Sequence, residues 1–563
     1  MTFINSAPFW LIVSFLAVAV YVAVDSKRKR AAGLLKKLKS GWGKPSERKY
    51  GEDEYEIITH YYKEFSESTG LGIDDITWND LNMDGIFKQM NIANSSAGQE
   101  CLYKLLRCPV KDMDKLKEID SLAEYFSSHE KERIELQKEY AELGFVKYLS
   151  LSDYIGLLVG VEQGSNLVHI LSILGLVISF IVCLAVDPVI GIGLIVAAVT
   201  FSIITYYKYK AKVEHLFVCV AHIVKMTSTA RNIAKKKFKG LEKYSEHFEK
   251  LCDEFSSVTK SAWMLESGNV SGSLADILLD YLRMLTHIDL IKFNGMVRGI
   301  GNKQKEVYEL YETMGLVEAC ISIASFRQML PYWSKPVFHS GTNKVISLQE
   351  GFHPLIKEPV ANSISTDRHV LLTGSNASGK STFLRTVAIN AVLSQTIYTS
   401  VSKSYQAPFF RIYSSMSLKD DLSSSNSYYI VEIKSLKRIL DAVEKPGEPV
   451  LCFVDEVLRG TNTVERIAAS SEILKSLKGK NVVCFAATHD IELTAILKNC
   501  YDNYHFQEEV TEDDVKFNFR LFKGPATTRN AIKLLSIIGY DSNIIKEAEK
   551  QAGYFIENGI WKM

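Results

Sequence analysis

Three stretches of the chain are apolar on every side, while the rest shows the mixed periodicity of amphipathic elements. The first, FWLIVSFLAVAVYVAV at residues 9–24, extends back through Phe3, to about the twenty residues a helix needs to cross a ~30 Å hydrocarbon layer. The other two share SILGLVISFIVCLAVDPVIGIGLIVAAVTFSII, residues 172–204, where Asp187 is the single charged side chain. This stretch divides at Asp187-Pro188 into runs at residues 167–186 and 188–207. Proline is suited to starting a helix and Asp-Pro to turning the chain, so a helical hairpin is expected. Two helices buried in a large soluble core would read equally apolar. A length near twenty residues without a solvated face favours membrane spans instead.

Charge orients these runs. The cluster KRKR at residues 27–30 follows the first run, the reverse of the order in a cleaved signal peptide. Ten Lys or Arg lie within residues 27–49 and none before Phe9, which places the downstream side in the cytoplasm and the N-terminus outside. Lys208, Lys210 and Lys212 close the hairpin, so both of its ends return to the cytoplasm. The expectation is an integral membrane protein with three spans and a cytoplasmic remainder.

Residues 51–164 are polar with helical periodicity, clearest in MDKLKEIDSLAEYFSSHEKERIELQKEYAEL at 113–143. The texture returns from 211 to 329, where RNIAKKKFKGLEK at 231–243 gives a basic helix face. Lys235 to Lys239 there could meet phosphate, lipid headgroups or only water. After PYWSKP at 331–336, short apolar runs alternate with helices, the mark of an α/β domain. The length of 563 residues suits several domains. The 66 basic and 65 acidic side chains give no global pull toward a polyanion. Nine scattered cysteines without a C-x-x-C pair disfavour a zinc site and a disulfide framework.

The α/β region carries the chemistry. HVLLTGSNASGKST fits G-x-x-x-x-G-K-[ST] from Gly374 to Ser381, after a strand-like run and before a helix pattern. Glycines let backbone N–H groups wrap phosphates, Lys380 reaches the β and γ phosphates, and Ser381 can bind Mg²⁺. PVLCFVDEVLRGTNT places Asp455 and Glu456 at the end of a buried-strand run, where open α/β sheets bind ligands. Asp455 would hold the Mg²⁺ shell and Glu456 would orient or deprotonate water. NVVCFAATHD brings His489 to a third strand end, placed to sense the γ phosphate.

The order TGSNASGKST, DDLSSSNSYYIVEI, VDEVLRGTNT, ATHDIEL, GPATTRNAIKLL is similar to the ATPase domain of the MutS family of DNA mismatch repair proteins, over residues 347–550. GIFKQMNIANSSAGQECLYKLLRCPV at 85–110 resembles the start of that family's helical lever domain. The resemblance implies an ABC-like, MutS-type α/β P-loop NTPase domain preceded by an all-α lever domain that a transmembrane hairpin interrupts. The corresponding segments are 1–25 (membrane helix), 26–80 (basic juxtamembrane linker), 81–165 and 209–335 (lever), 166–208 (hairpin) and 336–563 (ATPase). It further implies ATP with Mg²⁺ and a homodimer with composite ATP sites. The nucleotide would be held by Gly374, Ser375, Asn376, Ala377, Ser378, Gly379, Lys380, Ser381 and Thr382, with Asn362 and Gln395. Glu456, His489 and Lys380 would be catalytic, Ser381 and Asp455 would hold the metal, and Ser427 would reach into the neighbouring subunit's site.

The chain departs from the family at several points. Ser425 stands where the signature has glycine, and Pro359 stands where an aromatic often stacks on the base. The mismatch-reading domain has no counterpart in residues 1–80, so the Phe-x-Glu match at residues 65–67 reads as coincidence. The hairpin occupies the place of the family's DNA clamp. Two functions therefore stay open. One is a membrane-anchored MutS-type ATPase whose cycle moves lever helices, with DNA binding, mismatched DNA included, implied by the family. The other is a non-repair membrane machine or scaffold acting on a protein partner or the bilayer. Glu456 and His489 argue against a scaffold without turnover, and apolar spans without acidic or basic pairs argue against transport.

Overall fold

The computed structural model of the chain describes residues 7–69, 71–146, 149–160, 165–256, 281–339, 344–375, 378–416, 428–459, 461–510, 515–526, 532, 535 and 538–561. It divides into two compact units. One comprises Met1–Gly70, Asn91–Lys104 and Ser121–Ser325, and the other Leu71–Met90, Leu105–Asp120 and Phe326–Met563.

The regular elements of the first unit, among its described residues, are all helices. Its helices form because apolar residues recur at three- and four-residue spacing and meet on one face. Helix Glu52–Thr69 turns Ile58, Tyr61 and Tyr62 inward, and Glu130–Leu143 turns in Ile134, Leu136, Tyr140 and Leu143. The amphipathic run at 113–143 is two helices, Met113–Ser128 and Glu130–Leu143. At the break, the Ser128 hydroxyl donates to the Glu124 carbonyl at 2.9 Å, the local competition with backbone bonding that serine brings. Phe65 of the Phe-x-Glu match sits within Glu52–Thr69 under the Lys104 ammonium, 4.3 Å from the ring centroid.

The hairpin has the expected turn. Helices Leu167–Ala185 and Pro188–Lys235 flank it, and the Asp187 carboxylate accepts from the backbone N–H of Val189 at 2.8 Å and of Ile190 at 3.1 Å. Side chain and proline together form a helix N-cap. A Cβ on Gly191 would lie 2.1 Å from the Cys183 Cα, so glycine is what lets the two helices close just beyond the turn. The second helix does not end near Tyr207. It continues to Lys235, because no glycine or proline interrupts residues 194–235.

Helices Leu167–Ala185 and Pro188–Glu214 are long and apolar enough to cross a membrane, and only 17% of each apolar window is buried. Leu184 is 85% and Val189 81% exposed, unlike the interior of a soluble core. The N-terminal run lies in a helix, Ala7–Ser40, that passes without a break through the basic cluster. Most side chains of that run fall outside the described residues, so two candidate spans, rather than three, are found among the described ones.

The second unit is a mixed α/β domain. Its larger sheet has the order β10-β9-β4-β8-β7-β6, formed by Val515–Lys523, Tyr501–Val510, His369–Thr373, Val482–Ala487, Val450–Asp455 and Arg411–Ser415. All neighbours pair in parallel except β9 and β10. Strands β4 and β8 are buried at every position and β7 at all but Asp455, which is why they read as unbroken apolar runs rather than alternating ones. Helix Lys380–Ile397 follows β4 and is buried along most of its length. A smaller sheet has the order β1-β5-β2-β3, formed by Val337–Phe338, Ser404–Ala407, Ile346–Gly351 and Asn362–Thr366.

Candidate nucleotide site

Register brings the candidate residues to one edge of the larger sheet. Asp455 at the end of β7 pairs with Ala487 at the end of β8, and Ala487 pairs with Leu372 near the end of β4. The segments leaving these three strands therefore emerge side by side: the 374–381 loop, Asp455-Glu456, and Thr488-His489. Sequences as far apart as 374 and 489 meet because parallel strands point all their C-terminal ends the same way.

The loop needs its glycines for specific reasons. Gly374 has φ +143° and Gly379 φ +111°, conformations that side chains resist. A Cβ on Gly374 would lie 2.6 Å from the Phe506 carbonyl oxygen. Asn376 and Ala377 lie outside the described residues. Lys380, 5% exposed, donates to the carbonyls of Gly374 and Ser375 at 2.9 Å each. Burial pulls its pKa down, against the opposing pull of Asp455, Glu456 and Glu508. Ser375 is fixed by a 2.8 Å bond to the buried Glu508 carboxylate.

The paired acids have different surroundings. Burial pushes the Asp455 pKa up, while a hydrogen bond from the Ser381 side chain opposes the shift. Its Oδ1 is buried without a hydrogen-bond partner. A hydroxyl beside a carboxylate with an orphaned oxygen is a hard-oxygen donor set of the kind Mg²⁺ takes. Glu456 is held below the usual carboxylate range, first by its hydrogen bond from His489. His489 Nε2 lies 2.8 Å from Glu456 Oε1, and Arg459 pairs with Oε2 at 2.9 Å. Because a carboxylate only accepts, Nε2 carries the proton. The 3.3 Å approach of the Lys380 ammonium to the same nitrogen is then donor against donor. Glu456 thus takes the His489 N–H, with the Lys380 ammonium beside the same nitrogen.

Beside the loop lies a pocket of about 160 Å³ lined by Phe519, Phe506, Ile356, Pro359, Val360 and Gly379, among others. Asn362 is on its wall, where its amide donates to the Phe519 carbonyl at 2.9 Å and accepts from the Leu521 N–H at 2.8 Å. Asn362 thus ties β3 to β10. Phe519 was not singled out from sequence. It lies where the β9–β10 register shifts between Phe517 and Leu521, at φ +53°. The irregularity leaves Phe519 lining the pocket together with Pro359, which stands where an aromatic was expected. The only signal for Phe519 is the Phe-x-Phe alternation at 517–519.

A second residue missed from sequence is Glu432, on helix Tyr428–Glu444. Its Oε1 accepts from the backbone N–H groups of Leu458 and of Arg459, the latter at 3.3 Å. These groups belong to the turn that carries Glu456, where Glu456 and Leu458 have φ +56° and +58°. Arg466 similarly anchors the segment after His489, through two bonds to Asp490 at 2.9 and 2.7 Å.

The structure does not bring Gln395 to this site. It lies fifteen residues beyond Lys380 on one helix, about 22 Å along its axis. Its amide is 1% exposed and spent on the Phe410 backbone, donating at 3.0 Å and accepting at 2.6 Å. Its role is to lock β6 to the helix end. Ser425 and Ser427 lie outside the described residues, as does Gly460. Thr382 lines the pocket beside Gly379, and Ser378 is buried.

A parallel-stranded α/β domain with a glycine-bounded loop, an acid pair and a histidine on adjacent strand ends is what the fold and site define. Residues 370–555 match the family model of MutS domain V. The chain is 30% identical over 229 residues to the DNA mismatch repair protein MutS of Aquifex pyrophilus, covering 39% of this chain and 26% of that protein. It is 28% identical over 257 residues to that of Thermotoga petrophila (44% and 32%) and 30% over 257 residues to that of Persephonella marina (44% and 29%). Through this region the chain is similar to the MutS family, and the match supports membership of it. The match spans about a quarter to a third of the length of these relatives.

Proposed function

We propose that the chain is a Mg²⁺-dependent P-loop ATPase whose cycle acts on a membrane-inserted helical hairpin. The observation that carries the reading is the meeting of Lys380, His489 and Glu456 beside the glycine-bounded loop, with an apolar pocket next to that loop. In this reading the base enters the pocket against Phe519, and the phosphates lie along the 374–381 loop. Lys380 and His489 face the terminal phosphate, and the loop N–H groups and helix N-terminus add positive potential. Glu456, kept ionised by His489 and Arg459, orients a water for in-line attack and accepts its proton. Ser381 and Asp455 would hold Mg²⁺, which when bound neutralises charge on the phosphate oxygens.

The family resemblance supports a function related to mismatch repair, with ATP as substrate. Dimerisation with composite sites, and a trans contact from Ser427, belong to the same reading. Membrane insertion is supported by the exposed apolar faces of Leu167–Ala185 and Pro188–Glu214. Those faces also favour a second reading, a membrane machine without a DNA substrate.

ATP hydrolysis by the detergent-solubilised full chain, beside Glu456→Gln and with matched and mismatched duplexes, tests both. Wild type is expected to turn over ATP. Glu456→Gln should bind ATP while losing about 10²-fold or more in turnover, the scale of general-base loss. Equal rates for the two proteins refute the assignment. Stimulation by duplexes selects the repair-type reading, and turnover indifferent to DNA with no salt-sensitive binding selects the other.

A further inference from the structure

A polar cluster at the base of the apolar hairpin takes no part in the nucleotide site. His169, on helix Leu167–Ala185, is 2% exposed, and His287, just before helix Ile288–Gly301, is 0% exposed. Their Nδ1 atoms are 2.8 Å apart, a distance that requires one proton between them. The neighbours decide which ring supplies it. His287 Nε2 is 2.9 Å from the backbone carbonyl oxygen of Ser202, an atom that only accepts, so Nε2 is protonated. Neutral His287 then has a bare Nδ1, and His169 Nδ1–H donates to it. His169 Nε2 is left as a lone pair, buried and without a hydrogen-bond partner. One turn along the same helix, the Ser172 hydroxyl is also buried and unpartnered. Such orphaned atoms are uncommon in folded proteins.

Among the described residues, one carboxylate, that of Asp289, lies near the pair. Asp289 is 6% exposed, its Oδ2 accepts from the Tyr206 hydroxyl at 2.8 Å, and its Oδ1 has no partner. It lies within electrostatic reach of both imidazoles. The other titratable groups around them are engaged elsewhere. The Tyr209 ring is 4.7 Å from His169, and its hydroxyl donates to Asn294 at 2.8 Å. The Tyr206 ring is 5.6 Å from His287, with Lys210 at 3.5 Å from its hydroxyl. Asp153, on the adjoining helix Leu151–Gly160, pairs with His60 at 2.7 Å. Arg283 meets His287 through its backbone carbonyl at 2.8 Å.

We propose that His169 Nε2 is a proton-binding site, with Asp289 as counter-charge, that switches how the hairpin base is joined to helix Ile288–Gly301. A solvent proton adds to the Nε2 lone pair and no covalent bond breaks. The imidazolium keeps its Nδ1–H bond to His287 and gains a second N–H, buried where Nε2 has no hydrogen-bond partner, so protonation favours opening of the hairpin base to water. His287 cannot take that proton at Nδ1 without setting two N–H groups against each other.

Hydrogen–deuterium exchange of the detergent-solubilised full chain between pH 5.5 and 8, corrected for intrinsic exchange, tests this. Peptides from residues 167–185 and 288–301 should lose protection as pH falls, by up to tenfold per pH unit, the slope of a one-proton event. Peptides from 450–487 should not follow. His169→Phe removes the acceptor and keeps a ring, and His169→Gln keeps a donor toward His287 without titrating. Either variant, once shown folded by circular dichroism, should lose the slope. pH-independent protection in wild type, or a slope that survives in a folded variant, overturns the proposal.

Discussion

Glu432 touches neither the anion-facing groups nor the pocket, yet the turn that carries Glu456 hangs on it. That turn holds Glu456 and Leu458 at φ +56° and +58°, and each left-handed non-glycine residue costs about 1–3 kcal/mol. Against this stand two backbone N–H bonds to the buried carboxylate, worth about 1.5–3 kcal/mol each to an ionised acceptor. The opposing totals are similar, so removing one side is decisive. In Glu432→Ala the strain has no counterweight and the turn relaxes. A displacement of about 1 Å at a reacting group lowers rate on the order of 10²-fold. Turnover of ATP should fall by about that factor with KM little changed, because Lys380 and the pocket are untouched. Glu432→Gln retains an acceptor oxygen and should recover part of the loss. Exchange of peptides spanning 455–466 should rise in the alanine variant, a readout independent of turnover. Unaltered exchange and turnover in Glu432→Ala would refute the reasoning, and a loss residing wholly in KM would place Glu432 in nucleotide binding instead.

Other consequences follow from the same geometry. Phe519→Ala should weaken ATP by about 1–2 kcal/mol, roughly 5- to 30-fold in Kd, with tripolyphosphate affinity unchanged, since only a base uses the ring. Arg327 pairs with buried Asp120 at 2.8 Å, donates to Thr399 at 2.9 Å and stacks on Trp333 at 4.3 Å. Arg327→Met should destabilise the α/β unit by about 1.5–3 kcal/mol in denaturant unfolding, because it leaves Asp120 Oδ1 unpaired while Lys335 still holds Oδ2 at 2.8 Å. In the helical unit, burial pushes Glu318 up to about 7 and Glu100 up to about 8. Both pKa values exceed their unfolded values, so their contribution is complete at acid pH and is lost as pH rises through 7 to 8. Unfolding of this unit should grow easier from about pH 4.5 to 8, by about 1.4 kcal/mol per group per pH unit between its unfolded and its folded pKa, and level off above. The double variant Glu100→Gln, Glu318→Gln should flatten that profile.

What could be read from sequence divides by the range of the interaction that fixes it. The 374–381 loop was legible because glycine conformations and a lysine at fixed spacing are local. Asp455, Glu456 and His489 were legible because each ends an apolar run, and parallel pairing aligns such ends without further information. Gln395 was not legible. A glutamine on a helix behind a phosphate loop looks available, and only the path of residues 409–411 across the helix end shows its amide consumed by Phe410. Phe519 depends on an irregularity in the β9–β10 pairing that alternation cannot predict. Glu432 bonds a backbone 26 residues away, and His169 meets His287 across 118. The hairpin shows the same division in one element. Its turn at Asp187-Pro188 is local chemistry and formed as expected, while its second arm was expected to stop where charge begins. Charge changes the solvent a helix prefers, but only a breaker ends the helix, and none occurs before Lys235. The apolar second arm is therefore part of one continuous helix, Pro188–Lys235, which also carries Lys208, Lys210 and Lys212 and whose Ser202 carbonyl meets His287.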